Sequence, residues 1–561
     1  MGDHATTTMY WRAHFVFHHR CLALCVLCST GTRFNQHSGR VAQHLREKLI
    51  FKLRFSRPAT RYANTCSIFS RPLEANMFFL YFLPPICIVA LFIRRLYKFR
   101  NYPDAPGPTP AKYTRWWYLK KVYDGKFEQW DVDQHARHGP IVRVAPQMYS
   151  IGDPAAMKPI YGIGSPLEKS SWYEYWGDPR VPNHNLFSST DSSFHATMRR
   201  KVANLYTMTA IKSYEPYVNN CVRVLQEQLD RFAAKGEWFD LQHFTQCYAL
   251  DVIGEITYGN RFGVLDSGGQ DVGGILASLE KLLAFGTLAG IEPRFLPFWI
   301  WRYGNPETPI RAFDNRQQEL RREKGSINGA TDFFTKCEAL CKKDPVEWER
   351  YRGPMAMTQN VAAGSDTTSI ALTSAIFHII SNREVYLKLK EEIRAAEEQG
   401  EADDPITFDQ AQALPYLGSC IKEAMRVHPS TGLPLWRVVP EPGMTISGVF
   451  FPAGAVVGIN TWVAHRDPRV FGPDPNVFRP ERWDPKINDK DKLKQMEAYY
   501  MPFGAGTRTC IGKNISILEI SKVIPQLIRR YGFELARPGQ PIDSLNYWFV
   551  KQRNLLARIR Q

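Results

Sequence analysis

The sequence predicts a mainly α-helical protein with small β-sheets, built as one large domain behind an N-terminal membrane anchor. Three observations predict it. From about Tyr113 onward apolar residues recur at helical spacing, as in Tyr214–Lys235, Phe244–Tyr258 and Val385–Glu398. Short extended stretches interrupt that pattern at Ile141–Ala145, Gln147–Ile151, Met444–Phe451 and Ala455–Asn460, and no internal repeat is present. Met77–Ile93 is an uncharged apolar run, just long enough to span a bilayer although Pro84-Pro85 would kink it.

The 561 residues allow two or more ordinary domains or one large helical domain, and 44% hydrophobic residues supply an ample core. Residues 1–76 form a basic, His-rich leader without sustained periodicity, carrying 11 Lys and Arg against 3 Asp and Glu. The leader reads as disordered or as a gene-model extension ahead of Met77, with a transit peptide as the alternative. Cys21, Cys25 and Cys28 beside His18 and His19 mimic a metal cluster, but no second ligand pair follows at zinc-finger spacing. Residues 77–93 are the anchor. Arg94, Arg95, Lys98 and Arg100 then act as a basic stop, which places everything after them in the cytosol. A Pro-rich hinge completes residues 94–112, and 113–561 is the catalytic domain.

Half of the net charge of +16 lies in the leader, and no Lys/Arg stripe interleaved with aromatics occurs elsewhere, which argues against nucleic acid. The mild excess in the rest fits an acidic redox partner or an anionic membrane surface. The 11 cysteines follow no disulfide spacing, as in a reducing compartment.

Phe503-Gly504-Ala505-Gly506-Thr507-Arg508-Thr509-Cys510-Ile511-Gly512 sets one cysteine in a glycine-bordered loop ahead of a helix pattern from Lys513 to Tyr531. Unpaired N–H groups at a helix N-terminus favour a thiolate. Gly506 and Gly512 are read as allowing a sharp turn and the close approach of a flat ligand. Arg508 is suited to a carboxylate on that ligand, and Phe503 offers an aromatic face beside the sulfur. The reading is a thiolate ligand to haem iron, against a reactive or structural cysteine in a glycine loop.

A second run, Ala363-Gly364-Ser365-Asp366-Thr367-Thr368, interrupts an apolar helix pattern from Gly353 to Ser381. Threonine can bond back to the preceding turn and loosen the helix, and Asp366 can relay protons. The alternative is a polar patch on an ordinary helix. Glu423 and Arg426 share a helix face at i, i+3, a pairing commonplace on solvated surfaces. His465-Arg466-Asp467 matches a kinase catalytic triplet, yet the glycine loop and downstream Asn are missing and Pro468 follows at once.

Phe503–Gly512 resembles the haem-binding signature of the cytochrome P-450 family, F-x-x-G-x-R-x-C-x-G, at every fixed position. Ala363–Thr368 resembles its oxygen-activation motif, Tyr416–Pro429 its E-x-x-R helix, Phe478–Trp483 its partner segment, and Thr461–Pro468 a structural segment. The resemblance runs from about Pro106 to the C-terminus. Over Trp436–Asp467 it is most similar to fungal monooxygenases of the pisatin-demethylase type.

The resemblance implies the cytochrome P-450 fold, haem b with Cys510 as the axial iron ligand, and O2 as substrate. It implies electrons from NADPH through a reductase, with cytochrome b5 as an optional second donor, and an apolar small-molecule substrate. Gly364 and Thr367 are implied to leave room for and steady dioxygen, and Asp366 to pass protons. A buried Glu423–Arg426–Arg482 network is implied to hold the cysteine loop. His195 and Arg199, at i, i+4, and Arg437 are implied to grip haem propionates, although a surface role suits His195 nearly as well. Substrate contacts map to Ser165–Phe187, Leu283–Trp301, the helix before Gly364, Ser430–Leu435 and Tyr547–Val550. The leading function is insertion of one oxygen atom into an apolar substrate, at the endoplasmic reticulum and in fungal secondary metabolism. The alternatives are a haem-thiolate isomerase or dehydratase, which commonly lacks the acid–threonine pair, and a non-catalytic haem protein.

Overall fold

A 27-residue helix, Met355–Ser381, is the element on which most of the helical part packs. The computed structural model describes residues 99–560 except 178–184, 304–307, 325–331 and 351–354, with scattered positions from 85 to 97. The chain divides after Ile86 into two units, and the fold described is that of the second. The leader over 1–76, its cysteines, and most of the anchor over 77–93 lie outside the described residues.

The central helix lies against Leu241–Tyr258, Pro415–Val427 and Lys513–Arg530. Leu241–Tyr258 is buried at every position but His243, so it is an interior helix rather than an amphipathic one. It begins three residues before its predicted start because Asp240 caps it, Oδ1 accepting from His243 N at 3.1 Å. Arg383–Glu398 likewise begins early, on an Asn382 cap. Lys513–Arg530 continues through Pro525. One described stretch, Val272–Ile291, has the length and apolarity of a membrane span, and 67% of it is buried inside the domain.

The predicted extended stretches form sheet. Ile141–Ala145, Met148–Ile151, Val456–Gly458, Arg437–Val438 and Glu168–Lys169 stand in that spatial order. All neighbours are antiparallel except Met148–Ile151 with Val456–Gly458. The register sets Lys169 opposite Arg437. Met444–Phe451 is not one strand but a hairpin, Met444–Ile446 with Val449–Phe451, because Ser447 and Gly448 both take positive φ (51° and 79°) and close a two-residue turn. A second hairpin, Asp543–Tyr547 with Phe549–Arg553, turns at Trp548 and sets its second strand against the central helix. The seven described cysteines are all free thiols.

His428 ends the helix Pro415–Val427 and donates Nε2–H to Val550 O at 2.9 Å, edge-on to Trp462. Burial pulls its pKa from 6.5 to about 4; the Val550 carbonyl opposes the shift and Arg466 adds to it. A depressed pKa gives stability that is present above pH 6.5 and lost as the pH falls towards 4. The thermal midpoint should therefore drop between pH 7 and pH 5, and His428→Asn should make that slope shallower in the same melts.

Candidate active site

The cysteine loop is closed by its own backbone. Cys510 N donates to Phe503 O at 2.8 Å, Gly504 N to Met501 O at 3.0 Å, and Thr509 N to Gly506 O at 3.1 Å. The sharp turn falls on Gly504 (φ 71°) and Gly506 (φ 66°), not on Gly506 and Gly512. Gly512 has an ordinary φ of −81°, and a Cβ there would meet only Cys510 Sγ, at 3.9 Å. At Gly506 a Cβ would fall 1.6 Å from Tyr161 O, so the loop is keyed against the chain at Tyr161. Cys510 faces an internal cavity of about 360 Å³, which also exposes it. The backbone N–H groups of Gly512 and Lys513 reach its sulfur. Contrary to the sequence expectation, the thiol pKa is raised. Burial outweighs those donors and the charges of Arg199 and Lys513.

Six cationic residues share the cavity wall with Cys510, and four of them, Lys169, Arg199, Arg437 and Arg508, bond to backbone carbonyls. Arg199 donates to Thr509 O at 2.7 Å, tying its helix, Ser192–Val202, to the cysteine loop. Arg508 donates to Ser189 O, Arg437 to Trp436 O, and Lys169 to Phe187 O. Among the described residues none of the four pairs with a carboxylate. Burial and mutual repulsion act on them: Arg508 is lowered to about 10, by burial and then Arg437, and Lys169 falls well below its ordinary range. His195 is not a surface residue. It is 4% exposed on this wall, and burial, then Arg508, Lys169, Arg199 and Arg437, lower its pKa to about 3, so it is a neutral imidazole.

Glu423, Arg426 and Arg482 come together, all buried. Arg426 grips Glu423 bidentately, Nε to Oε2 at 2.9 Å and Nη2 to Oε1 at 2.7 Å. Arg482 Nε donates to Oε1 at 3.2 Å, Trp483 Nε1 to Oε2 at 2.9 Å, and Arg479 N to Oε1 at 3.1 Å. Arg426 Nη1 donates to His465 O at 2.8 Å, and His465 Nδ1 lies 3.2 Å from Arg426 O. Met501 N donates to His465 Nε2 at 2.9 Å, which fixes the Nδ1–H tautomer. The network thus reaches Met501, two residues before Phe503, through the histidine of the kinase-like triplet.

On the central helix Thr367 Oγ1 donates back to Ala363 O at 2.8 Å, yet the helix is unbroken through Gly364–Thr368. The polar run does not open it. Gly364 serves close packing: a Cβ there would meet Ile253 Cγ1 of the neighbouring helix at 2.8 Å. Asp366 and Thr367 both line the cavity. Asp366 Oδ1 accepts from Gln246 Nε2 at 2.6 Å and lies 3.1 Å from Lys551 Nζ.

A family model described as Cytochrome P450 matches residues 106–557. The chain belongs to the cytochrome P450 family. A pisatin demethylase of Fusarium vanettenii is 37% identical over 83% of this chain and 91% of its own length. A cytochrome P450 monooxygenase of Aspergillus terreus is 35% identical over 80% and 95%, and the monooxygenase cicH of Emericella nidulans 33% over 84% and 97%.

As a P450 the chain is a monooxygenase, an oxidoreductase carrying haem on a cysteine thiolate and drawing electrons from a redox partner. The residues present fit such a group. One thiol faces the cavity, and four cations with no carboxylate partner among the described residues suit the two propionates. The P450 cavity takes Tyr173, Trp176 and Phe187 from the first predicted substrate stretch, Ser430, Thr431 and Leu435 from the fourth, and Trp548 and Phe549 from the last. The second stretch is displaced. Leu279, Leu282 and Leu283 line the cavity, whereas Trp301 is 77% exposed. Lys169, Gln246, His465 and Lys551 were not legible as site residues; a lysine three residues before an aromatic cluster was the one available hint at Lys169.

Glu423→Ala would strand two buried guanidiniums. It should cost about 3–5 kcal/mol. Denaturant unfolding should show the loss, and haem content should fall with it.

Proposed function

We propose that this chain is a haem-thiolate monooxygenase in which Cys510 supplies the axial sulfur, with its electrons drawn from NADPH through a membrane-bound reductase. The observation that carries the reading is one cavity holding a thiol, four cations with no carboxylate partner among the described residues and the Asp366–Thr367 pair. The bound haem would supply activation of O2. The chain's residues would do the rest. Lys169, Arg199, Arg437 and Arg508 would hold the propionates, and neutral His195 would donate or accept one hydrogen bond beside them. Glu423, Arg426, Arg482 and His465 would keep the sulfur in place. Thr367 donates to Ala363 O, which leaves its lone pairs free to accept a hydrogen bond from a water in the cavity, and Asp366 next to it would supply protons.

The substrate wall supports an apolar, aromatic ligand. Trp176, Phe187 and Trp548 pack edge-to-face or tilted around the cavity, Phe549 stacks on Trp548, and Leu279 and Leu283 lie beside them. The relatives' names, a demethylase among them, favour oxidative removal of an alkyl group or hydroxylation in fungal secondary metabolism. The apolar run over 77–93 and the basic residues after it would anchor the domain on the cytosolic side of the endoplasmic reticulum. Retention of Asp366 and Thr367 favours O2 chemistry over isomerisation.

Cys510→Ala should abolish the thiolate signature of the reduced carbon monoxide spectrum, and an unchanged spectrum would point to a different axial ligand. Thr367→Ala should divert NADPH electrons to hydrogen peroxide severalfold relative to product; tight coupling in that variant would remove Thr367 from the reaction.

A further inference from the structure

The C-terminal hairpin brings an amine to the acid of the central helix. Lys551 Nζ lies 3.1 Å from Asp366 Oδ1 and donates to Gln246 Oε1 at 3.2 Å. Gln246 Nε2 donates to the same Oδ1 at 2.6 Å, so the three side chains form a closed triangle. The Asp366 side chain is 1% exposed and that of Lys551 10%. Asp366 Oδ2 is buried without a hydrogen-bond partner among the described residues, on a residue that lines the cavity. The remaining charged neighbour is Glu280, on the helix Ile275–Ile291, with Oε1 3.7 Å from Lys551 Nζ and its own side chain 64% exposed. Lys551 therefore stands between solvent and Asp366.

A buried carboxylate without a cation takes up a proton and keeps it, because desolvation penalises the charged form. A carboxyl that passes protons must be able to lose its own, and its second oxygen must stay in place. Gln246 offers the carboxylate a donor but no charge. Among the described residues Lys551 is the one that pairs a positive charge with it, and Glu280 holds that charge from the solvent side.

We propose that Lys551 is a positioning residue for the proton supply: it keeps Asp366 ionised and fixed through Oδ1, which leaves the buried Oδ2 as the atom that takes and gives protons. Lys551 touches neither substrate nor haem in this account. The inference rests on the monooxygenase reading for its consequence, but the pairing it asserts can be measured without turnover.

The experiment compares Lys551→Met and Lys551→Arg in the full, haem-loaded chain. Infrared difference spectra of each protein against its Asp366→Asn counterpart isolate the one carboxyl group at neutral pH. Wild type and Lys551→Arg should show a carboxylate band, and Lys551→Met a protonated carboxyl band. In the reductase-coupled system without added substrate, Lys551→Met should raise severalfold the share of NADPH electrons recovered as peroxide rather than water, and Lys551→Arg should restore it. A carboxylate band retained in Lys551→Met, or an unchanged peroxide share, overturns the proposal. So does a Lys551→Arg protein as impaired as Lys551→Met. Lys551→Gln takes the place of Lys551→Met where the latter does not fold. If wild type consumes no NADPH, the monooxygenase reading fails while the infrared result still decides the pairing.

Discussion

The buried carboxylate of Glu423 is the point on which the rest of the site depends. Two guanidiniums, an indole N–H and a backbone N–H converge on its two oxygens. An ionised group with no access to water survives only when its lone pairs are filled, and here five donor contacts fill them. The carboxylate joins the helix Pro415–Val427 to the irregular stretch around Arg479–Trp483. Arg426 directs its remaining N–H groups to carbonyls, Nη1 to His465 and Pro475 and Nη2 to Val477. Because His465 accepts from Met501 N, the geometry of the cysteine loop is fixed from a point several residues upstream of the sulfur.

The cavity wall is built on the opposite electrostatic plan. Lys169, Arg199, Arg437 and Arg508 carry like charges side by side and bond to carbonyl oxygens rather than to acids. Around Glu423 the opposite charge is supplied from within the protein. Around Cys510 it is left to a guest, which is the electrostatic form a cofactor site takes when the cofactor brings two carboxylates of its own.

Local and long-range information account for what was legible in the sequence. The long helices and the strands near Ile141–Ile151 follow from periodicity within a few residues, and the starts that moved earlier by more than one residue are those capped by Asp240 and Asn382. The Phe503–Gly512 loop and the Glu423–Arg426 pair were readable because fixed spacing along the chain carries them. Lys551, Gln246, His465 and Lys169 were not, because each gains its neighbours from a distant segment. Gly364 and Gly512 show that a motif glycine can answer to more than the ligand. Both glycines line the cavity, but Gly364 is also packed against Ile253 of the next helix, and Gly512 adopts a backbone open to any residue.

Gly506 has a wider consequence. The space its side chain would need is taken by the carbonyl of Tyr161, whose hydroxyl in turn donates to Leu435 O and accepts from Ile459 N. The cysteine loop is therefore moulded against a part of the chain that comes some 350 residues earlier. It is not a self-contained cartridge that the helical part could carry alone. The sulfur is presented correctly only after the sheet-bearing segment has docked, so metal-site geometry reports on completion of the whole domain, and neither part could evolve its packing face without the other.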